Sequence, residues 1–140
     1  MERNRIKPEL SKKNKYWIDK RRYYELKYFC LQYPLWKSAY ELLDGFTLYS
    51  YDLTSVKRSN LPGDPTGQRV KERSIYFERM ELVKQAAFAT DTDLSDYIIK
   101  AVTEDLSFEY LKTQLNIPCS RDTYYDRYRR FFWILNNIKD

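Results

Sequence analysis

The residues best equipped for chemistry lie in Ser120-Arg121-Asp122-Thr123-Tyr124-Tyr125-Asp126-Arg127-Tyr128-Arg129-Arg130. Guanidinium groups, phenols and carboxylates recur here at helical spacing, and their chemistry is recognition. A guanidinium can grip guanine O6 and N7, or a phosphate, with two hydrogen bonds. Tyr124, Tyr128, Phe131, Leu135 and Ile138 fall at i, i+4, i+7, i+11 and i+14, a single apolar stripe. The remaining faces carry Arg121, Asp122, Tyr125, Asp126, Arg127, Arg129 and Arg130. One helix therefore has a core side and a cationic, hydrogen-bonding side.

The stretch before it must position that helix. Ser107 to Leu115 has Phe108, Leu111 and Leu115 at i, i+3 and i+7, which predicts a short packing helix. Asn116-Ile117-Pro118-Cys119 ends it, because Pro118 lacks an N–H and disfavours helical geometry at Ile117. Ser120 can cap the next helix, and Asp122 puts negative charge in its first turn, where the helix dipole favours it. A short helix, a tight turn and an amphipathic basic helix predict a helix-turn-helix whose second helix enters the DNA major groove. Arg121, Asp122, Tyr125 and Arg129 are the candidate base readers, and Arg127, Arg130 and Lys112 the candidate phosphate contacts. The same pattern also describes an ordinary helical hairpin with a solvated arginine face.

Other chemistry is poorly provided for. The chain has no histidine and only Cys30 and Cys119, which are far apart. Triads, most zinc sites and redox pairs need closer sets of such residues. Gly63 and Gly67 lack the spacing and Gly-Lys-Ser/Thr ending of a phosphate-binding loop. Thr90-Asp91-Thr92-Asp93 lacks the glycine and final glutamate of a calcium loop, so it is read as a helix cap. No enzyme, metal or cofactor is expected. No segment is long and apolar enough to span a membrane, and no signal-peptide core is present, so a reduced, cytoplasmic setting is expected.

Charge follows the same division. Residues 1–30 carry ten Lys/Arg against four Asp/Glu, residues 31–119 ten against thirteen, and residues 120–140 five against three. Two basic ends flank an acidic middle, which suits a polyanionic partner with salt-dependent affinity. Aromatic residues make up 17% of the 140, enough apolar area for a folded chain of this length.

The expected fold is all-α: a multi-helix domain ending in a helix-turn-helix. Residues 1–14, with Arg3, Arg5, Lys7, Lys12 and Lys13, lack apolar periodicity and read as a flexible basic arm of the kind that can lie along DNA. Residues 15–63 form an aromatic helical region and loop. Within it, Lys15 to Leu31 is predicted helical, with Trp17, Tyr24, Tyr28 and Leu31 on one face. Leu35 to Leu43 follows as a second helix, with Leu35, Trp36, Ala39, Leu42 and Leu43 available for packing. Residues 46–63 read as a loop in which Phe46 to Tyr51 alternates like a brief extended segment. Residues 64–140 hold a long helix from about Thr66 to Ala89, a helix from Leu94 to about Thr103, and the two helices described above. Asp64-Pro65-Thr66 is the start signal of the long helix.

Three blocks together resemble the RinA-type phage transcriptional regulators. They are Tyr97-Ile98-Ile99-Lys100-Ala101-Val102-Thr103, Tyr110-Leu111-Lys112, and Ile117-Pro118-Cys119-Ser120 continuing to Phe132. Lys27-Tyr28-Phe29-Cys30-Leu31-Gln32-Tyr33-Pro34-Leu35-Trp36-Lys37 and Asp64-Pro65-Thr66 look like the same family, and Pro118 to Arg130 is the most specific part. The resemblance implies a DNA-binding activator of phage or prophage late genes. Its last part would be similar in layout to the promoter-reading domain of sigma factors. Asn116 stands where many such turns have glycine, and asparagine tolerates left-handed geometry better than most residues. The implied partners are double-stranded DNA, bacterial RNA polymerase and a second copy of the chain. A small terminase-like packaging subunit and a phage factor that binds a host protein are the alternatives.

Overall fold

The computed structural model describes residues 12–43 and 65–140. Among them are six helices and no strand: α1 (Lys20–Leu31), α2 (Tyr33–Leu42), α3 (Pro65–Thr90), α4 (Ser95–Glu104), α5 (Phe108–Leu115) and α6 (Arg121–Ile138). The all-helical expectation holds. Most of the 1–14 arm and the whole 46–63 loop lie outside the described residues. The chain divides into two compact units, one containing residues 12–32 and 82–140 and the other residues 33–81.

In the first unit α1 packs against both α4 and α6. Its centre is aromatic: Tyr23 meets Phe132 edge-on at 5.1 Å, Tyr128 meets Phe132 at 5.0 Å, and Phe131 meets Phe132 at 4.9 Å. The Tyr23 and Tyr128 hydroxyls share a hydrogen bond of 2.6 Å, which gives two phenols polar partners inside an apolar cluster. Val83, Ala86 and Ala87 of α3, Ile98 of α4, Leu111 of α5 and Leu135 of α6 are also buried.

The buried face of α1 differs from the sequence reading. Tyr23, Leu26 and Cys30 are buried, whereas Tyr24 is 38% and Tyr28 59% exposed. Both sets run at helical spacing, one residue apart around the helix, and α1 has apolar groups on each. Only packing against α4 and α6 decides between them. The helix also begins at Lys20, later than expected. Tyr16 N–H donates to the Asn14 side chain, and Asp19 caps α1 through a bond from Arg21 N–H. These two local bonds turn residues 14–19 away from the helix.

The second unit holds α2 and α3 up to Glu81. Trp36 is buried, with the Arg79 guanidinium 5.9 Å from its ring; Arg73 lies 3.7 Å over the Tyr40 ring and donates to the Tyr40 carbonyl. Of the residues expected to pack from α2, Leu35 and Leu42 are instead 71% and 84% exposed. Pro34 sits in the first turn of α2, where a missing N–H is tolerated, so the break between α1 and α2 narrows to Gln32.

Candidate nucleic-acid interface

Local chemistry builds the two helices and the turn as the sequence implied. Ser107 caps α5 by accepting from Tyr110 N–H at 3.1 Å, and Ser120 caps α6 by accepting from Thr123 N–H at 3.2 Å. Between them Asn116 takes the left-handed conformation at φ 56°, ψ 45°. Ile117 N–H then reaches back to the Leu111 carbonyl at 3.0 Å, and the Ile117 side chain is buried. A left-handed residue, a backward N–H bond and an apolar anchor make a Schellman-type stop. The turn spans residues 116–120, and its angle is fixed at both ends.

Tyr124, Phe131, Phe132 and Leu135 seat α6 in the core. Phe132 joins the stripe although the expected spacing omitted it, and Ile138, expected to close the stripe, is 41% exposed. Tyr128, half-buried, borders that face. Desolvation first, and the neighbouring Tyr23 second, hold its phenol well above the usual tyrosine range. This leaves the start of α6, with Arg121 and Asp122 exposed, pointing away from the core.

The candidate residues have distinct surroundings. Arg121 forms an ion pair with Glu109 across the turn, and its guanidinium lies 5.4 Å from the Tyr125 ring and 5.8 Å from Phe108. The bond from Arg121 holds the Glu109 carboxyl below its usual range. Both partners are about half exposed, so the pair is a solvent-screened one that a stronger anion can replace. Lys112, in the last turn of α5, is exposed.

Arg127 is engaged more fully. Its Nε donates to Asp91 at 3.0 Å and its Nη1 to Asp126 at 2.6 Å. Asp91 in turn accepts from the backbone N–H groups of Asp93 and Leu94 at 3.0 and 3.2 Å. One carboxylate thus organises the α3–α4 junction and ties α6 to it. Burial raises the Asp91 carboxyl, but the Arg127 bond, the two backbone bonds and the Arg127 charge outweigh that and leave it lowered overall. The expected cap of α4 is not formed: its N-cap residue Leu94 makes no side-chain capping bond, and Asp91 instead closes the turn that precedes the helix.

Arg129 and Arg130 differ again. The Nε atoms of both are enclosed and have no hydrogen-bond partner among the described residues. Arg130 Nη1 donates to the Tyr16 hydroxyl at 3.0 Å, and Tyr16 packs on Trp133 at 5.6 Å. Farther along, Arg22 reaches Asn136 and the Lys139 carbonyl, closing the start of α1 onto the end of α6. The sequence reading missed Tyr16 as part of this face, because its partners on α6 lie more than a hundred residues away.

Among the described residues no helix is long and apolar enough to cross a membrane, and no group of three or more metal-binding side chains gathers. Cys30 is fully buried, and desolvation raises its thiol far above the usual range, so it stays protonated. No protein-family model, curated protein or solved structure matches the chain at a significant level.

Proposed function

We propose that this chain is a sequence-specific DNA-binding regulator that activates phage or prophage late genes, with α6 as the reading helix. The observation that carries the proposal is the capped start of α6. A rigid turn holds it, four large apolar residues anchor its back, and Arg121 and Asp122 remain exposed at its tip. A helix that enters the major groove needs this division, because its first residues must reach base edges while its body is braced.

Arg121, Asp122, Tyr125 and Arg129 are the readers in this proposal, and Lys112 and Arg130 meet phosphates. Arg121 exchanges Glu109 for a base or phosphate on binding. Arg127 serves by holding α6 against Asp91. The resemblance of residues 117–132 to the RinA-type regulators supports the choice of promoter DNA and late genes. RNA polymerase and a second copy of the chain are the further partners this reading assigns. The exposed Leu35 and Leu42 of α2 offer apolar surface for a protein contact.

The test is binding of the purified chain to duplex fragments from its phage or prophage genome, against unrelated competitor DNA and at two salt concentrations. Selective, salt-sensitive retention of a fragment upstream of late genes is the expected result. Binding confined to the start of a packaging gene, by a ring-forming oligomer, would favour the terminase-like reading. Absence of any salt-sensitive binding would leave the host-protein reading.

A further inference from the structure

Arg22, Lys100, Arg121 and Arg127 of the first unit each face a carboxylate: Glu25, Glu104, Glu109, and Asp91 with Asp126. Among the described residues, Lys12, Lys15, Arg129 and Arg130 have no carboxylate within ion-pair distance. Three of these, Lys12, Lys15 and Arg130, gather around the adjacent rings of Tyr16 and Trp17. The Lys15 ammonium lies 5.1 Å from the Tyr16 ring and the Arg130 guanidinium 5.9 Å from the same ring. The Lys12 ammonium lies 5.6 Å from the adjacent Trp17 ring.

Two like charges drawn to one ring repel each other, and a bound anion relieves that repulsion. The aromatic rings position the cations while leaving their charge uncompensated. The Asn14 turn and the Tyr16 to Arg130 bond fix the segment on α6, so part of the ordering is complete before a ligand arrives.

Distance along α6 selects the anion. From Arg121 to Arg130 the helix rises about 13 Å. The major groove is about 8.5 Å deep and 12 Å wide. When the tip of α6 reaches the base edges, Arg130 therefore stands above the groove floor, at the height of the backbone.

We infer that Lys12, Lys15 and Arg130, gathered on the adjacent Tyr16 and Trp17 rings, form a second anion-binding patch that grips the DNA backbone beside the groove entered by α6. The inference rests on the proposed DNA reading and adds the amino-terminal segment to the interface. The patch is indifferent to sequence, and its contribution is affinity and register.

The experiment measures binding of the full chain to a mixed-sequence duplex of about 30 base pairs, three turns of DNA, across a salt series. Replacing the exposed pair in K12Q/K15Q should reduce the slope of log affinity against log salt by about 1.8, which is two phosphate contacts. R130Q should reduce it by about 0.9. Thermal unfolding of K12Q/K15Q should match the unaltered chain, since both lysines are exposed. Unchanged slopes in K12Q/K15Q and R130Q, with a reduced slope in K112Q, would overturn the patch and leave the DNA reading standing. No salt-sensitive binding by the unaltered chain would overturn both.

Discussion

The two halves of α6 use arginine in opposite ways. In the first half Arg121 and Arg127 are neutralised within the protein, by Glu109 and by Asp91 with Asp126. From the midpoint on, Arg129 and Arg130 have no acidic partner among the described residues, and Arg130 rests on Tyr16. Under the proposed DNA reading, this difference separates two tasks. A group that must read base edges benefits from being held in one geometry, and a replaceable carboxylate does that. A group that attracts a polyanion needs its charge intact.

The largest effect should come from removing the floor common to both halves. Phe131→Ala deletes a fully buried ring and should destabilise the chain by about 3–5 kcal/mol, measured by urea unfolding. An effect below about 1 kcal/mol would mean that α6 is not anchored there.

Asp91→Ala acts on the first half alone. It removes the carboxylate that closes the turn before α4 and the tether of Arg127 and should destabilise by about 1 kcal/mol, chiefly through the two backbone N–H groups, because the ion pair is partly solvated. The salt slope contributed by the second half should persist. The Asp91 carboxyl is lowered in the folded state, so its stabilisation is complete above its ordinary value of 3.8. That stabilisation disappears as pH falls through the lower folded value. An acid titration of unfolding in which Asp91→Ala and the unaltered chain converge below that window would bear this out.

Alkali tests the buried face. Tyr128 is raised above the ordinary 10.0 in the folded state, so its contribution is complete below pH 10. Above it the unfolded phenol ionises while the folded one stays protonated, and stability falls. Tyr128→Phe should flatten the decline above pH 10; an unchanged decline would place the cause elsewhere.

The smallest effect sharpens the contrast most directly. Glu109→Gln removes the neutralising partner of Arg121 and gives the first half the character of the second. DNA affinity should rise severalfold and depend more steeply on salt, with little change in unfolding temperature. A loss of affinity would show that Glu109 is needed to aim Arg121.

How much of this was legible varies with the range of the interaction. The stop at Asn116 and Pro118 and the cap at Ser120 were readable because each depends on bonds within a few residues. The long helix was readable from Pro65 for the same reason. The face of α1 was not, since aromatic residues occur around the helix and both candidate stripes are periodic. The buried face of α6 differs at its edges: Phe132 is inside, Tyr128 is half-buried and Ile138 is partly outside. The candidate arginines were found as a set, but their division into paired and unpaired was not visible in their spacing.

The sequence by itself determined an all-helical chain, the caps and stops of α5 and α6, the basic ends, and the arginine-rich helix, because propensity, capping and charge are properties of neighbours along the chain. Tertiary structure decided which face of α1 is buried and which arginines meet a carboxylate. Asp91 meets Arg127 across 36 residues and Tyr16 meets Arg130 across 114. Whether a cation is neutralised depends on what folding carries to within a few ångströms of it, and no local pattern encodes that distance.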